Sequence, residues 1–300
     1  MKKSLLVAAL LATAVAAQAQ TTDTLKKIKD TGSVVMGVRG TSGVLSYTLG
    51  NGQYVGYHVE LCKRIIDDIS KLIGKPVEIK YQEVTSANRI PLVQNGTVDL
   101  ECGSTTNNDT RQKDVAFAHT AYVEEVRILT KVNSGIKNIG DLNGKSVATT
   151  TGTTSVQLLR KNERATGVDF KEVFGKDHGD SFQLLESGRA DAFVMDGQIV
   201  AGLASKSKSP ADYVIVGPAL SVEPIAIMIR KDDPAFLAQV NKTIDGLLKS
   251  GEIAKIYDKW FMQPVPPTNT KVNLPASDDT KAAWKTPNSM STEALLLVKK

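Results

Sequence analysis

Residue types able to carry chemistry are few and scattered along this 300-residue chain, which has two cysteines and three histidines. Cys102, His178 and Asp196 are the types that thiol chemistry uses, but Cys102 ends a strand-like run from Val98 and reads as a buried residue. No Gly-x-Ser-x-Gly elbow, phosphate-binding loop, His-Glu-x-x-His or dinucleotide glycine fingerprint occurs. Catalysis therefore has little support, and no cofactor is indicated. Cys62 and Cys102 fit neither a disulfide framework nor a metal-binding spacing. They either pair with each other or remain two buried thiols. The remaining polar candidates each have a plain structural explanation. An arginine usually sits on a solvated face, and His178 between Asp177 and Asp180 fits a loop. Asp196 before Gly197 fits a turn or helix cap, and Ser104, Thr105 and Thr106 fit turn formers.

The elements that must position these residues alternate between strand and helix. Ser33 to Val38 is a β-rich run followed by a Gly- and Ser-containing loop. Val59, Cys62, Ile65, Ile66, Ile69, Leu72 and Ile73 recur at helical spacing, and Gly74 and Pro76 stop that helix. Val77 to Val84 reads as strand, Ser86 as the cap of a helix to about Gln94, and Val98 to Cys102 as strand again. Gln94-Asn95-Gly96-Thr97-Val98-Asp99 is echoed by Glu186-Ser187-Gly188-Arg189-Ala190-Asp191. In both, a glycine closes a helix and an aspartate leads into a strand. One such βαβ region in each half suggests two α/β lobes. Asp233-Pro234 caps and starts a helix reaching Ser250, and a shorter one covers Ile253 to Trp260. From Pro264 onward prolines interrupt any regular element, which suggests an extended strap or partly mobile extension. Short strand-like crossings near Tyr122 to Val126 and Ser221 to Pro224 are expected to join the lobes.

The beginning of the chain reads as an export signal. Lys2 and Lys3 precede an apolar, small-residue run from Ser4 to Ala17, and Ala17-Gln18-Ala19 offers a peptidase site before Gln20. Residues 1–19 are therefore expected to be removed, leaving a periplasmic protein. No later stretch approaches the roughly 20 apolar residues of a membrane helix. The formal net charge is +5, or +3 (5 − 2) without Lys2 and Lys3. That mild, scattered balance does not indicate a nucleic-acid partner.

Several segments resemble the glutamate/aspartate-binding proteins of the polar amino-acid uptake family (solute-binding protein family 3). They are Thr85-Ser86-Ala87-Asn88-Arg89-Ile90-Pro91-Leu92-Val93-Gln94-Asn95-Gly96, then Glu101-Cys102-Gly103-Ser104-Thr105-Thr106-Asn107-Asn108 with Arg111. Gly152-Thr153-Thr154-Ser155, Lys176-Asp177-His178-Gly179-Asp180-Ser181-Phe182, Phe193-Val194-Met195-Asp196 and Lys259-Trp260-Phe261 complete the set. The resemblance covers about Thr24 to Pro267. It implies the two-lobed, type II periplasmic-binding fold of α/β class, in which hinged lobes close over a ligand. On that basis residues 20–123 with 224–263 form lobe 1, residues 124–223 form lobe 2, and 264–300 form a C-terminal extension. It also implies a monomer that binds L-glutamate or L-aspartate and delivers it to the membrane permease of an ABC importer.

Such a ligand carries two carboxylates and one ammonium, so its site needs at least two cations, one anion and several small donors. By the resemblance, Arg111 grips the α-carboxylate with its planar fork. Thr151, Thr153 and Thr154 sit before a helix whose backbone N–H groups attract a carboxylate. Asp196 receives the ammonium, helped by Ser104 and Thr106. Arg39, Ser86, Arg89 and His178 surround the side-chain carboxylate, and that second cationic cluster distinguishes an acidic ligand from glutamine. Three departures stand out. Gly43-Val44-Leu45-Ser46-Tyr47 replaces the family's Pro-Phe-Ser-aromatic wall, Gly197 replaces a second acidic residue, and Ile227 stands where a cysteine able to lie beside Cys102 is common. Any disulfide here would therefore use Cys62. Delivery to a chemoreceptor, a glutamine ligand, or a dehydratase-like enzyme on the same fold are the competing functions.

Overall fold

A computed structural model defines the fold and describes residues 23–298. The expected cleavage before Gln20 lies outside the described residues. In chain order the first part forms α1 (Thr24–Thr31), β1 (Ser33–Val38), a small antiparallel sheet of β2 (Thr41–Ser42), β3 (Ser46–Gly50) and β4 (Gln53–Val55), and α2 (Tyr57–Ile73). β5 (Glu78–Glu83), α3 (Arg89–Gln94), β6 (Leu100–Glu101) and β7 (Val115–Phe117) follow. The long β8 (Tyr122–Lys131) then leads to β9 (Ser146–Thr150), α4 (Thr154–Thr166), β10 (Lys171–Gly175), α5 (His178–Glu186), β11 (Ala192–Asp196) and α6 (Gly197–Ser205). β12 (Tyr213–Ile225) returns beside β8, and β13 (Met228–Arg230) rejoins the first sheet. α7 (Pro234–Lys249), α8 (Glu252–Tyr257), α9 (Asp278–Lys285) and α10 (Thr292–Val298) end the described chain.

Two five-stranded sheets result, ordered β5-β1-β6-β13-β7 and β10-β9-β11-β8-β12. In each, three strands run parallel through helical crossovers and the returning strands pair antiparallel. This is the type II periplasmic-binding architecture. The largest core cluster packs α2, α7 and α8 against the first sheet, with Ile65, Ile69, Phe236 and Phe261 wholly buried. Smaller clusters cover the two faces of the second sheet. The helical spacing read from Val59 to Ile73 describes the buried stripe of α2, except that Leu72 is exposed. Asp233 caps α7 through the N–H of Phe236 at 3.1 Å, as Asp233-Pro234 suggested.

The chain passes between the sheets along β8 and β12, whose residues Tyr122 to Val126 pair with Ser221 to Ile225. Beyond Pro264 the chain turns at residues 266–269, where Val265 pairs with Thr270, runs without regular structure to Ser277 and then forms α9 and α10, two helices that the proline spacing did not suggest. This strap lies along the free edge of the crossing strand. Trp284 Nε1 donates to Ala121 O at 2.8 Å, Thr280 Oγ1 accepts from Val123 N at 3.1 Å, and Thr120 N donates to Asn288 O at 2.8 Å. Each bond satisfies a backbone group that no neighbouring strand reaches. Cys62 on α2 and Cys102 after β6 form a disulfide with Cα atoms 6.4 Å apart, resolving the two alternatives.

Candidate functional site

The strand ends of both sheets deliver the candidate residues to one cleft. Arg39 follows β1 and is wholly buried, with its N–H held by Ser46 Oγ at 2.9 Å. Its Nη2 donates to Ser86 Oγ at 3.0 Å and meets His178 Nε2 at 3.2 Å, while Asp177 stands at 3.9 Å. An arginine can only donate, so Nε2 accepts and the proton lies on Nδ1, 3.0 Å from Thr150 Oγ1. Burial, then the charges of Arg39 and Arg89, hold His178 well below the ordinary imidazole range, so it is neutral. Ser86 is thus occupied with Arg39 and does not cap α3. The reciprocal bonds of Thr85 and Asn88 shape that turn instead.

Arg89 at the start of α3 is 2 % exposed, and its Nε and Nη1 have no hydrogen-bond partner; nor have Nε and Nη1 of Arg39. Four buried cationic donor atoms without acceptors are costly unless an anion meets them. Arg111 reaches between the sheets: Nη1 donates to Thr106 O at 2.9 Å and Nη2 to Gly152 O at 3.3 Å. Burial pushes all three guanidiniums down from their usual range.

The turn before α4 supplies Thr153 and Thr154. Gly152 there has φ +81°, and an added Cβ would stand 2.8 Å from the Ala87 backbone, so only glycine allows this approach between the two sides. Thr154 Oγ1 donates to Glu223 Oε2 at 2.8 Å, and Thr106 Oγ1 reaches the same oxygen at 2.7 Å. Asp196 ends β11 and is 4 % exposed. Burial first, then Glu223, push its carboxyl up to about 7 against the pull of the three arginines.

Ser86, Arg89, Ser104, Thr106, Thr153, Thr154, His178 and Asp196 line one shared cavity of about 10 Å³. Arg39 backs it through Ser86 and His178. Thr151 is exposed and, with Arg111, lines a groove of about 530 Å³ at the cleft mouth. The enclosed space holds about one water, so a larger molecule would fit there only if the two sides parted. A roomier groove of about 710 Å³ lies among Lys131, Glu186, Arg189 and Asp212, away from these residues. It lacks their convergent buried charges, so chemistry rather than size marks the site.

Four further polar residues were not read from the sequence. Glu223 gathers the Thr106, Thr154 and Ser221 hydroxyls. Glu101 is buried and accepts from Thr105 Oγ1 at 2.7 Å. Glu124 is buried beside α6, and Gln198 Oε1 accepts the Val44 N–H at 3.0 Å across the cleft. The acidic residues interrupt near-apolar strands, a signal the sequence did contain. Tyr47, the last residue of the altered segment near Arg39, turns to Pro266 O at 2.7 Å and to the Trp260 ring.

Known proteins share this framework. The chain is 44 % identical over 293 residues to the L-glutamate/L-aspartate-binding protein of Pseudomonas aeruginosa, covering 97 % of this chain and 96 % of that protein. It is 45 % identical over 266 residues to the glutamate/aspartate import solute-binding protein of Escherichia coli K12, covering 88 % of each. Among solved structures, an ancestral arginine-binding protein bound to arginine superposes with a TM-score of 0.67 at 32 % identity, covering 77 % of this chain and 98 % of that one. The sequence profile of the bacterial extracellular solute-binding proteins, family 3, matches residues 34–263, and the chain belongs to that family.

Proposed function

We propose that this protein is the periplasmic solute-binding component of an ABC importer and captures L-glutamate or L-aspartate between its two lobes. Lobe 1 is residues 20–123 with 224–263, lobe 2 is 124–223, and the crossings are the hinge. The carrying observation is the cluster of three buried arginines, two of them with unpartnered donors: Arg89 lines the same cavity as Asp196, Arg39 backs it through Ser86 and His178, and Arg111 lines the groove that shares Thr153 and Thr154 with it. A dicarboxylate amino acid offers the matching charges. Arg111 and the N–H groups ahead of α4 take the α-carboxylate, with Thr151 at the cleft mouth. Asp196 takes the ammonium. Arg39 and Arg89, ordered by Ser86 and neutral His178, take the side-chain carboxylate. A neutral amide there would leave buried positive charge uncompensated.

The reading is of binding without turnover, by a monomer that hands its cargo to a membrane permease. Ligand favours closure because it contacts both sides at once. Among the described residues no helix is long and apolar enough to cross a membrane. The two relatives, both named as binders of acidic amino acids, support the ligand class. Arg89→Ala tests the side-chain cluster: affinity for the acidic amino acid is expected to fall by about 2 kcal/mol or more, roughly 30-fold, while any weak glutamine affinity changes little. Undiminished glutamate and aspartate affinity in that variant would refute the assignment.

A further inference from the structure

The binding reading makes Asp196 the acceptor for the ligand's ammonium, and a second buried carboxyl stands behind it. Glu124, on the crossing part of β8, is 2 % exposed. Its Oε1 accepts the Glu125 N–H at 2.8 Å, and its Oε2 is buried with no hydrogen-bond partner. The carboxyl reaches the N-terminal turn of α6. A Cβ on Gly197, the residue after Asp196, would stand 3.5 Å from Glu124 Oε1, and the Gln198 N–H points to the same group.

The ionisable surroundings leave Glu124 without a counter-charge. Asp196, which pairs with Val126 two residues along β8, acts on it through its charge. Against that, the Tyr122 phenol and the Glu125 and Gln198 N–H groups favour its ionised form less than burial disfavours it. Tyr122 and Tyr257 of α8 line one cavity with Glu124. Glu125 and Arg127, the intervening residues of β8, pair with each other at 3.0 Å. Arg39, Arg89, Arg111 and Glu223 act on Asp196. No lysine, arginine or histidine forms an ion pair with Glu124 among the described residues. Two neighbouring buried carboxyls do not both ionise without a cation between them. A charged carboxylate with a bare oxygen in the interior is also far costlier than the neutral acid.

We propose that Glu124 is a neutral carboxylic acid in the folded protein and a positioning residue for the ammonium subsite, its O–H steadying Asp196 as the anion that receives the ammonium. The proposal rests on the assignment of Asp196 above. Burial, then the charge of Asp196, push the Glu124 carboxyl well above the carboxylate range. Glu124 lines a cavity of about 160 Å³ shared with Leu274, Pro275 and Ser277 of the strap, whereas Asp196 lines the cleft.

Infrared spectroscopy and calorimetry together test this. At about pH 8, above the Asp196 titration, the carbonyl stretch of a protonated carboxyl is expected, and Glu124→Gln should remove it. Glutamine mimics the neutral acid, so Glu124→Gln should bind L-glutamate and L-aspartate within about threefold of the unaltered protein. Glu124→Val keeps the site neutral but removes the donor. It should bind about tenfold more weakly and lose affinity at a higher pH on acidification. If Glu124→Gln is as damaging as Asp196→Asn, Glu124 works as an anion and the proposal is overturned. It is equally overturned if Glu124→Val binds normally or if the infrared band survives Glu124→Gln. Absence of binding by the unaltered protein would instead refute the proposed function, and the infrared band would still decide the state of Glu124.

Discussion

On the proposed reading, in which it receives the ligand's ammonium, Asp196 concentrates the conflict between stability and binding. A carboxyl buried next to Glu223 keeps its proton up to about pH 7, about three units above an unfolded aspartate near 3.9. Between those values the folded chain holds more protons than the unfolded one, so stability falls as pH rises through that window. At about 1.4 kcal/mol per unit, the cost above pH 7 reaches at most about 4 kcal/mol. Asp196→Asn should therefore unfold at higher urea concentration than the unaltered protein at about pH 8 without ligand, while losing affinity for an acidic amino acid. A less stable asparagine variant at that pH would show that Asp196 is not a strained group. Ligand affinity should also climb from about pH 5.5 to 8 as the acceptor ionises, which titrations at several pH values would follow.

The elements hold these residues through two devices, one legible in the sequence and one not. Gly152-Thr153-Thr154 before a helix was readable, because a glycine ahead of hydroxyl residues is a helix-entry pattern. That Gly152 meets Ala87 across the cleft was not, since single-chain spacing carries no information on which loops touch. Gly152→Ala puts a Cβ 2.8 Å from that backbone. It should weaken ligand binding by about tenfold or more with a small change in melting temperature; unchanged affinity would mean the loops need not approach. The disulfide was legible only as a possibility, because pairing depends on α2 lying over β6. Cys62 and Cys102 enclose a separation of 40 residues, so Cys62→Ser should cost about 2–4 kcal/mol in denaturant unfolding. The α2 stripe and the Asp233 cap could be read directly, since periodicity and capping are local. Glu223, Glu101 and Glu124 escaped notice because a strand's apolar context does not say which acid faces a cleft.

At the scale of the whole molecule, two sheets joined through β8 and β12 meet around buried charges, and the strap braces the crossing. Trp284 packs edge-on to Tyr257 at 5.4 Å besides bonding Ala121. Trp284→Ala should lower stability by about 3 kcal/mol, read as a shift of the denaturant midpoint. An unshifted midpoint would make the strap a passive appendage. The larger question is whether the charges meet a ligand of the expected kind. The direct measurement is calorimetric titration of the protein without residues 1–19, unfolded and refolded to strip carried ligand, with L-glutamate, L-aspartate, L-glutamine and L-arginine in turn. The account predicts tight binding of one or both acidic amino acids and little heat from the other two. Preference for glutamine or arginine, or silence with all four, would contradict it.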